Sequence, residues 1–136
     1  MSVRDYVCRM ERFLRLLVDY HQVPTISPSP HTGLFVNPTT KIGSIGIHVQ
    51  QRFTSHGFAV NVDNQSLPWF QRVIACGLQD VTATSIQDQH RQLGIRQDKM
   101  PLSVEEIVPV AARLFGQAFE RNMAGEITEA VPEEEE

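Results

Sequence analysis

Apolar positions fall into two helical stripes separated by a stretch with a two-residue period. Val3, Tyr6, Val7, Met10, Phe13, Leu14, Leu17 and Val18 recur at three- and four-residue steps, which predicts one amphipathic helix over about 3–20. Ser2 and Asp5 have the N-cap and N3 spacing of a capping box. Pro24, Pro28 and Pro30 then break the helix and leave an extended loop up to Thr32. Gly33 to Val36 reads as a short strand, turned by Asn37-Pro-Thr-Thr40. From Lys41 to Gln50, Ile45, Ile47 and Val49 alternate with Ser44, Gly46 and His48, a half-buried strand. Phe58, Val60 and Val62 form a second alternating run after Thr54-Ser-His-Gly57, and the two runs are expected to pair as an antiparallel hairpin.

Ser66 to Phe70 predicts a short capped helix with Pro68 in its first turn. Cys76-Gly77 falls in a loop before a brief apolar and Thr-rich segment, Val81 to Ile86. Residues 87–93 predict a helical turn ending at Gly94. Ser103-Val-Glu-Glu106 is a capping box for a last helix. Its stripe is Ile107, Val108, Ala111, Leu114, Phe115, Ala118, Phe119 and Met123, with a kink or restart expected at Pro109. Residues 125–136 have no period and end in four glutamates, predicting a disordered acidic tail after a folded unit over 1–124. The order helix, strands, helix is an α+β pattern, with a mixed or antiparallel sheet flanked by helices.

Composition narrows the function classes. The 136 residues suit one domain, and the net charge of −4 comes wholly from the tail: without Glu133 to Glu136, 12 basic residues balance 12 acidic ones. No basic footprint points to nucleic acid, and no apolar run approaches the roughly 18 residues of a membrane span. Four Arg in the first twenty residues interleave with Asp5, Glu11 and Asp19, unlike a transit peptide. Two cysteines, Cys8 and Cys76, make no disulfide framework or CxxC pair. Cys8 is expected to be half-buried and inert. No histidine spacing suggests zinc, and no string for a nucleotide or other cofactor is present.

Three clusters carry possible chemistry: Lys41-Ile-Gly-Ser-Ile-Gly46, Thr54-Ser-His-Gly-Phe-Ala-Val-Asn-Val62 and Ile74-Ala-Cys-Gly-Leu78. Glycines at 43 and 46 within a strand suggest a bulge or close approach of a ligand or backbone. Together with Val3-Arg-Asp-Tyr-Val7, Thr32-Gly33 and Ser103-Val-Glu-Glu106, these blocks in this order resemble the lipoyl (octanoyl) transferases of lipoate biosynthesis. The resemblance runs from about Val3 to Phe119 and matches the C-terminal portion of that family. Two departures stand out: Ala75 replaces the family's proline before Cys76, and the upstream Arg-Gly-Gly and His-Gly-Pro-Gly-Gln strings do not occur in the chain.

The resemblance implies a sheet similar to that of biotin and lipoyl protein ligases, with N-terminal strands missing and an open edge. It implies transfer of an octanoyl group from acyl carrier protein to a lysine of lipoyl domains, through a thioester on Cys76. It carries over Cys76 as nucleophile and Lys41 as its partner, with Ser44, Ile45, Gly46, Gly57, Phe58 and Ala59 at the acyl substrate. For Ile45 and Phe58, core packing is the competing reading. His56 is an auxiliary candidate, more suited to a hydrogen bond with backbone or substrate than to general-base work. The implied partners are octanoyl-acyl carrier protein, the lipoyl domains of 2-oxoacid dehydrogenase subunits and the glycine cleavage H protein. The implied state is a monomer without metal or cofactor, and the Ala75-Cys76-Gly77 variant resembles fungal mitochondrial members. Two other readings stay open. One is a binding-only remnant lacking the upstream motifs; the other is a cysteine hydrolase using Cys76 and His56.

Overall fold

The structure is a computed structural model that describes residues 1–27, 31–51, 53–70, 72, 80–95 and 103–123. Its elements are α1 (Val3–Tyr20), β1 (Leu34–Asn37), β2 (Thr40–Gln50), β3 (Phe53–Val60), α2 (Leu67–Phe70), β4 (Thr82–Ala83), α3 (Ile86–Leu93) and α4 (Val104–Phe119). The architecture is α+β, with a four-stranded sheet and flanking helices.

Helix α1 starts where the capping chemistry predicts. Ser2 Oγ accepts the Asp5 N–H at 3.1 Å, and the Asp5 carboxylate accepts the Ser2 N–H at 3.2 Å and its hydroxyl at 2.7 Å. These bonds satisfy helix-end donors that have no partner within the helix, and hydrogen bonds from Ser2 hold the Asp5 carboxyl below its ordinary value. Of the apolar stripe, Met10, Phe13, Leu14, Leu17 and Val18 are buried, whereas Val3 stays exposed. Helix α4 has the same logic, with Ser103 Oγ accepting the Glu106 N–H at 3.2 Å. A restart at Pro109 does not occur, and α4 runs through it. Pro109 lies in the second turn, so its missing N–H removes one bond, to the Glu105 carbonyl, while later turns stay intact.

Strand β2 is the centre of the sheet. It pairs antiparallel with β1 (Leu34↔Gly43, Phe35↔Lys41), antiparallel with β3 from Gly43↔Val60 to Gln50↔Phe53, and parallel with β4 (Thr40↔Thr82, Lys41↔Ala83). The hairpin is therefore longer than the alternation suggests. Thr54 to Gly57 belong to β3, and the turn is the two-residue connection 51–52, with Gln51 at φ 48°. A strand with solvent on both faces needs no period-two pattern, which is why the polar run there does not announce itself.

The faces of β2 follow from its neighbours. Phe13 of α1 meets Phe58 edge-to-face at 4.9 Å, and Phe58 pairs with Ile45. Ile45 thus points to the α1 side, with Gly43 and Ile47. Ile42 on the opposite side is also fully buried, so the first part of β2 is covered on both faces. From Ser44 outward, Ser44, Gly46 and His48 are exposed on that second face. Beyond Gly43, no described residue pairs with β2 on the edge that β1 occupies lower down.

The core lies between α1, α4 and the sheet, around Phe13, Leu14, Leu34, Ile42 and Leu114. Cys8 is exposed, contrary to expectation, because it points away from the Met10–Phe13–Leu17 stripe. His90, on α3, is fully buried and its Nε2 hydrogen-bonds the carbonyl of His21, tying α3 to the end of α1. No helix is long and apolar enough to cross a membrane. The predicted tail, 125–136, lies outside the described residues.

Candidate active site

The candidate residues are set by one hairpin. Ser44↔Ala59 and Gly46↔Gly57 are cross-strand pairs, so these four small residues share the face turned away from α1, and all four are exposed. A Cβ added at Gly46 or at Gly57 would meet nothing within 4 Å. This leaves a strip of pleated sheet bare of side chains longer than a hydroxymethyl, and backbone or ligand can lie directly on such a surface. The structure separates these residues from the other two acyl-contact candidates. Ile45 and Phe58 point to the α1 side, where Ile45 packs on the core and Phe58 meets Phe13.

Lys41 lies three residues before Ser44 in β2, with the parity of Gly43 and Ile45 rather than that of the strip. With Ser44, Ala59, Asn61, Phe70 and Thr82 it lines a cleft of about 60 Å³ between β2, β3, α2 and β4. Its side chain extends towards β1, with Nζ 5.8 Å from the Phe35 ring centroid. Gly33, at φ +124°, makes room for it: a Cβ there would lie 2.7 Å from Lys41 Cε and 3.2 Å from Nζ. Among the described residues, no ion pair involves Lys41. The Glu11 carboxylate of α1 accepts the N–H of the adjoining Gly33 at 3.5 Å.

Cys76, Ala75 and Gly77 lie outside the described residues. The described chain brackets them: α2 ends at Phe70 and β4 begins at Thr82, and both elements border the Lys41 cleft. His56 is on the α1 side of the sheet, opposite Ile47. Its Nδ1 shares a hydrogen bond with the Tyr6 hydroxyl, and the rings lie 4.3 Å apart. Burial pushes the Tyr6 phenol above its ordinary value. His48 is exposed on the small-residue face.

Two features escaped the sequence. A larger cleft of about 380 Å³ opens between β3 and α4, walled by Phe13, Phe58, Val108 and Phe115, and among the described residues no titratable group lines it. It can hold carbon but offers no chemistry, so the smaller cleft with Lys41 is the better reacting centre. The second is Asn61, whose side chain donates to the Thr84 carbonyl just beyond β4 at 3.0 Å; its neighbours Val60 and Val62 carry the alternation that hides it. Among the described residues, no cluster of His, Cys, Asp and Glu could hold a metal ion.

No protein-family model matches the chain. An octanoyltransferase of Koribacter versatilis is 34% identical over 125 residues, covering 90% of this chain and 46% of that protein. A mitochondrial octanoyl-acyl-carrier-protein:protein N-octanoyltransferase of Danio rerio is 33% identical over 118 residues, 87% of this chain and 48% of its own length. A mitochondrial octanoyltransferase of Kluyveromyces lactis is 47% identical over 58 residues, 43% of this chain and 17% of that protein. The chain spans about half the length of the first of these relatives. With similarity of this strength across nearly all of its own residues, the chain belongs to the octanoyltransferase family.

Proposed function

We propose that this chain carries the reacting half of an acyl transfer from octanoyl-acyl carrier protein to a lysine of a lipoyl domain, with Cys76 as nucleophile and Lys41 as its partner. The observation that supports the reading is the cleft that Lys41 lines together with Ser44 and Ala59, the near end of a strip free of bulky side chains. The names of the relatives supply the acyl group, the carrier protein and the protein acceptor.

In the first half-reaction the Cys76 thiolate attacks the carbonyl of the donor thioester. The carrier's thiolate leaves and takes up a proton, and the octanoyl group is now a thioester on Cys76. A free thiol titrates near ~8.5, so a cation beside it raises the thiolate fraction at neutral pH. In the second half-reaction the acceptor lysine must be neutral to attack. Acylation removes the sulfur's charge, which lets Lys41 give up a proton and then accept one from the incoming ammonium. The amide forms, the C–S bond breaks and Cys76 is regenerated. The acyl chain lies along 44–46 and 57–59. Ser44, Gly46, Gly57 and Ala59 give it close backbone contact, while Ile45 and Phe58 brace the sheet from behind. His56, bonded to Tyr6 on the far face, fixes β3 rather than serving as the base. Two of the relatives are named as mitochondrial, which supports the same location for this chain.

One observation favours a second reading, in which the acyl-enzyme hydrolyses instead of passing its acyl group on. The β2 edge from Ser44 outward has no described partner, and the acyl strip is uncovered, so water would reach a thioester formed there. Intact-mass analysis after mixing with octanoyl-acyl carrier protein decides among these. The expected product is a hydroxylamine-labile octanoyl adduct that is absent in Cys76→Ser and passes to an added lipoyl domain. An adduct that decays to free octanoate in the presence of that domain would make the protein a hydrolase. No adduct on a folded chain would leave only binding.

A further inference from the structure

We infer that Asn61 is a positioning residue for the reacting centre: its side-chain amide closes a hydrogen-bond circuit that locks the Lys41–Ile42 segment of β2 against β4. The inference rests on the proposed role of Lys41 and Cys76. Asn61 follows β3, and its N–H donates to the Ile42 carbonyl at 3.1 Å. Its side-chain Nδ2 donates to the Thr84 carbonyl at 3.0 Å. The Thr84 N–H in turn donates to the Lys41 carbonyl at 2.9 Å. Lys41–Ile42, Asn61 and Thr84 thereby form a closed loop of three bonds around the cleft that Lys41 and Asn61 both line.

The circuit matters because β4 is weak on its own. It has two residues, pairs among the described residues with Thr40 and Lys41, and is held to the rest of the sheet by the Thr82 N–H to the Thr39 carbonyl at 2.8 Å, by the Thr82 hydroxyl at 3.3 Å from that carbonyl and 3.4 Å from the Thr40 hydroxyl, and by the Thr84 bond. Yet β4 is where the chain returns after Cys76, six residues upstream of Thr82. A ladder this short frays readily, and among the described residues the Asn61 amide is the side-chain bond that ties it back to the β3 end of the sheet.

Helix α3 has separate anchors. Ser85 Oγ hydrogen-bonds Asn64 Oδ1, and Gln87 Oε1 accepts the Asn64 N–H at 3.1 Å. The Ile86 N–H also donates to the backbone carbonyl of Asn61 at 2.9 Å, a bond any residue at 61 would keep. Loss of the Asn61 side chain should therefore loosen β4 while leaving the fold standing. Only a donor fits: a carboxylate at this position would face the Thr84 carbonyl oxygen with no hydrogen to offer.

The test uses the full chain with Cys8→Ser, so that Cys76 is the only thiol, and compares it with Asn61→Ala, Asn61→Asp and Lys41→Ala. Amide hydrogen exchange at Thr84 should accelerate about fivefold in both Asn61 variants, the equivalent of one net hydrogen bond. Unchanged exchange would overturn the circuit whatever the protein's activity. The pH midpoint for Cys76 alkylation by iodoacetamide should rise by about half a unit or more in Asn61→Ala, in the same direction as in Lys41→Ala. A global loss of stability would not move the midpoint of the folded fraction. If Lys41→Ala raises the midpoint and Asn61→Ala does not, Asn61 positions nothing and the inference fails, while the acyl-transfer reading survives. If Lys41→Ala leaves the midpoint unmoved and no adduct forms, the acyl-transfer reading fails, and with it the role of Asn61 as a positioning residue.

Discussion

Gly33 holds the Lys41 side chain in place, and substituting it separates the fold's requirements from the site's. Gly33 adopts φ +124°, outside the regions open to L residues. An added Cβ would lie 2.9 Å from the Gly43 carbonyl oxygen and 2.7 Å from Lys41 Cε. The lysine can swing aside, but the oxygen belongs to the β1–β2 ladder and cannot. Backbone strain of this kind costs about 1–3 kcal/mol, and displacing a strand carbonyl adds about 1 kcal/mol for a weakened hydrogen bond. Gly33→Ala should therefore destabilise by about 2–4 kcal/mol, a large part of the roughly 5–15 kcal/mol that a domain possesses. Gly46→Ala and Gly57→Ala are the opposite case. Both have open space where the Cβ goes and no positive φ, so a less flexible unfolded chain should leave stability unchanged or raise it by up to about 1 kcal/mol. Those same methyl groups would occupy the acyl strip and reduce octanoyl transfer. Urea unfolding followed by far-ultraviolet circular dichroism, paired with adduct formation, measures both effects. A Gly33→Ala protein as stable as the parent would refute the reasoning, as would a Gly46→Ala protein that unfolds more easily than Gly33→Ala.

Three further outcomes follow from the packing and the titrating groups. Phe13 is fully buried and meets Phe58 at 4.9 Å and Phe115 at 5.3 Å, so Phe13→Ala should lose about 3–5 kcal/mol in the same urea assay. Tyr6→Phe removes the bond to His56 and keeps the ring, costing about 0.5–1.5 kcal/mol near neutral pH. Because burial raises the Tyr6 pKa, its contribution is present below the ordinary tyrosine value and lost as pH rises past it. The parent should lose stability through that alkaline range, and Tyr6→Phe should lose less. Asp5 has the opposite sign: Ser2 lowers its pKa, so its contribution is present above the ordinary carboxylate value and disappears as pH falls through the lowered one. Melting temperatures of the parent and Asp5→Asn should differ at pH 6 and converge in acid.

The parts of this fold that can be read in the sequence are those set by local chemistry. The Ser2 and Ser103 caps, the α1 and α4 stripes and the β2 alternation depend on residues within a few positions of one another, and each appears where the pattern puts it. The misreadings share a cause. Thr54 to Gly57 gives no strand signal because it lies on an edge strand, where Ser55, His56 and Gly57 are all exposed. Pro109 is tolerated because it falls early in α4, where a lost bond is cheap. Cys8 is exposed because a residue between two stripe positions is fixed by the helix's rotation against the sheet, which no local pattern records.

The site was legible only in part for a related reason. Its residue types cluster in the sequence, but its geometry depends on contacts between distant segments. Tyr6 reaches His56 across 50 positions and Asn61 reaches Thr84 across 23. The hairpin also splits the candidates by parity: Ser44, Gly46, Gly57 and Ala59 form the open face, while Ile45 and Phe58 buttress the other. That division gives a physical reason for the composition of the motif. A strip of small residues buries almost no apolar area and contributes little to stability, and glycine in a strand weakens it. The alternating apolar side chains behind it, together with the Phe13–Phe58–Phe115 contacts, supply the cohesion that lets such a strip stay flat and open. The face that stabilises the sheet and the face proposed to meet substrate are therefore the two sides of the same six residues. Substitutions at 45 and 58 should act first through stability, and substitutions at 44, 46, 57 and 59 first through transfer.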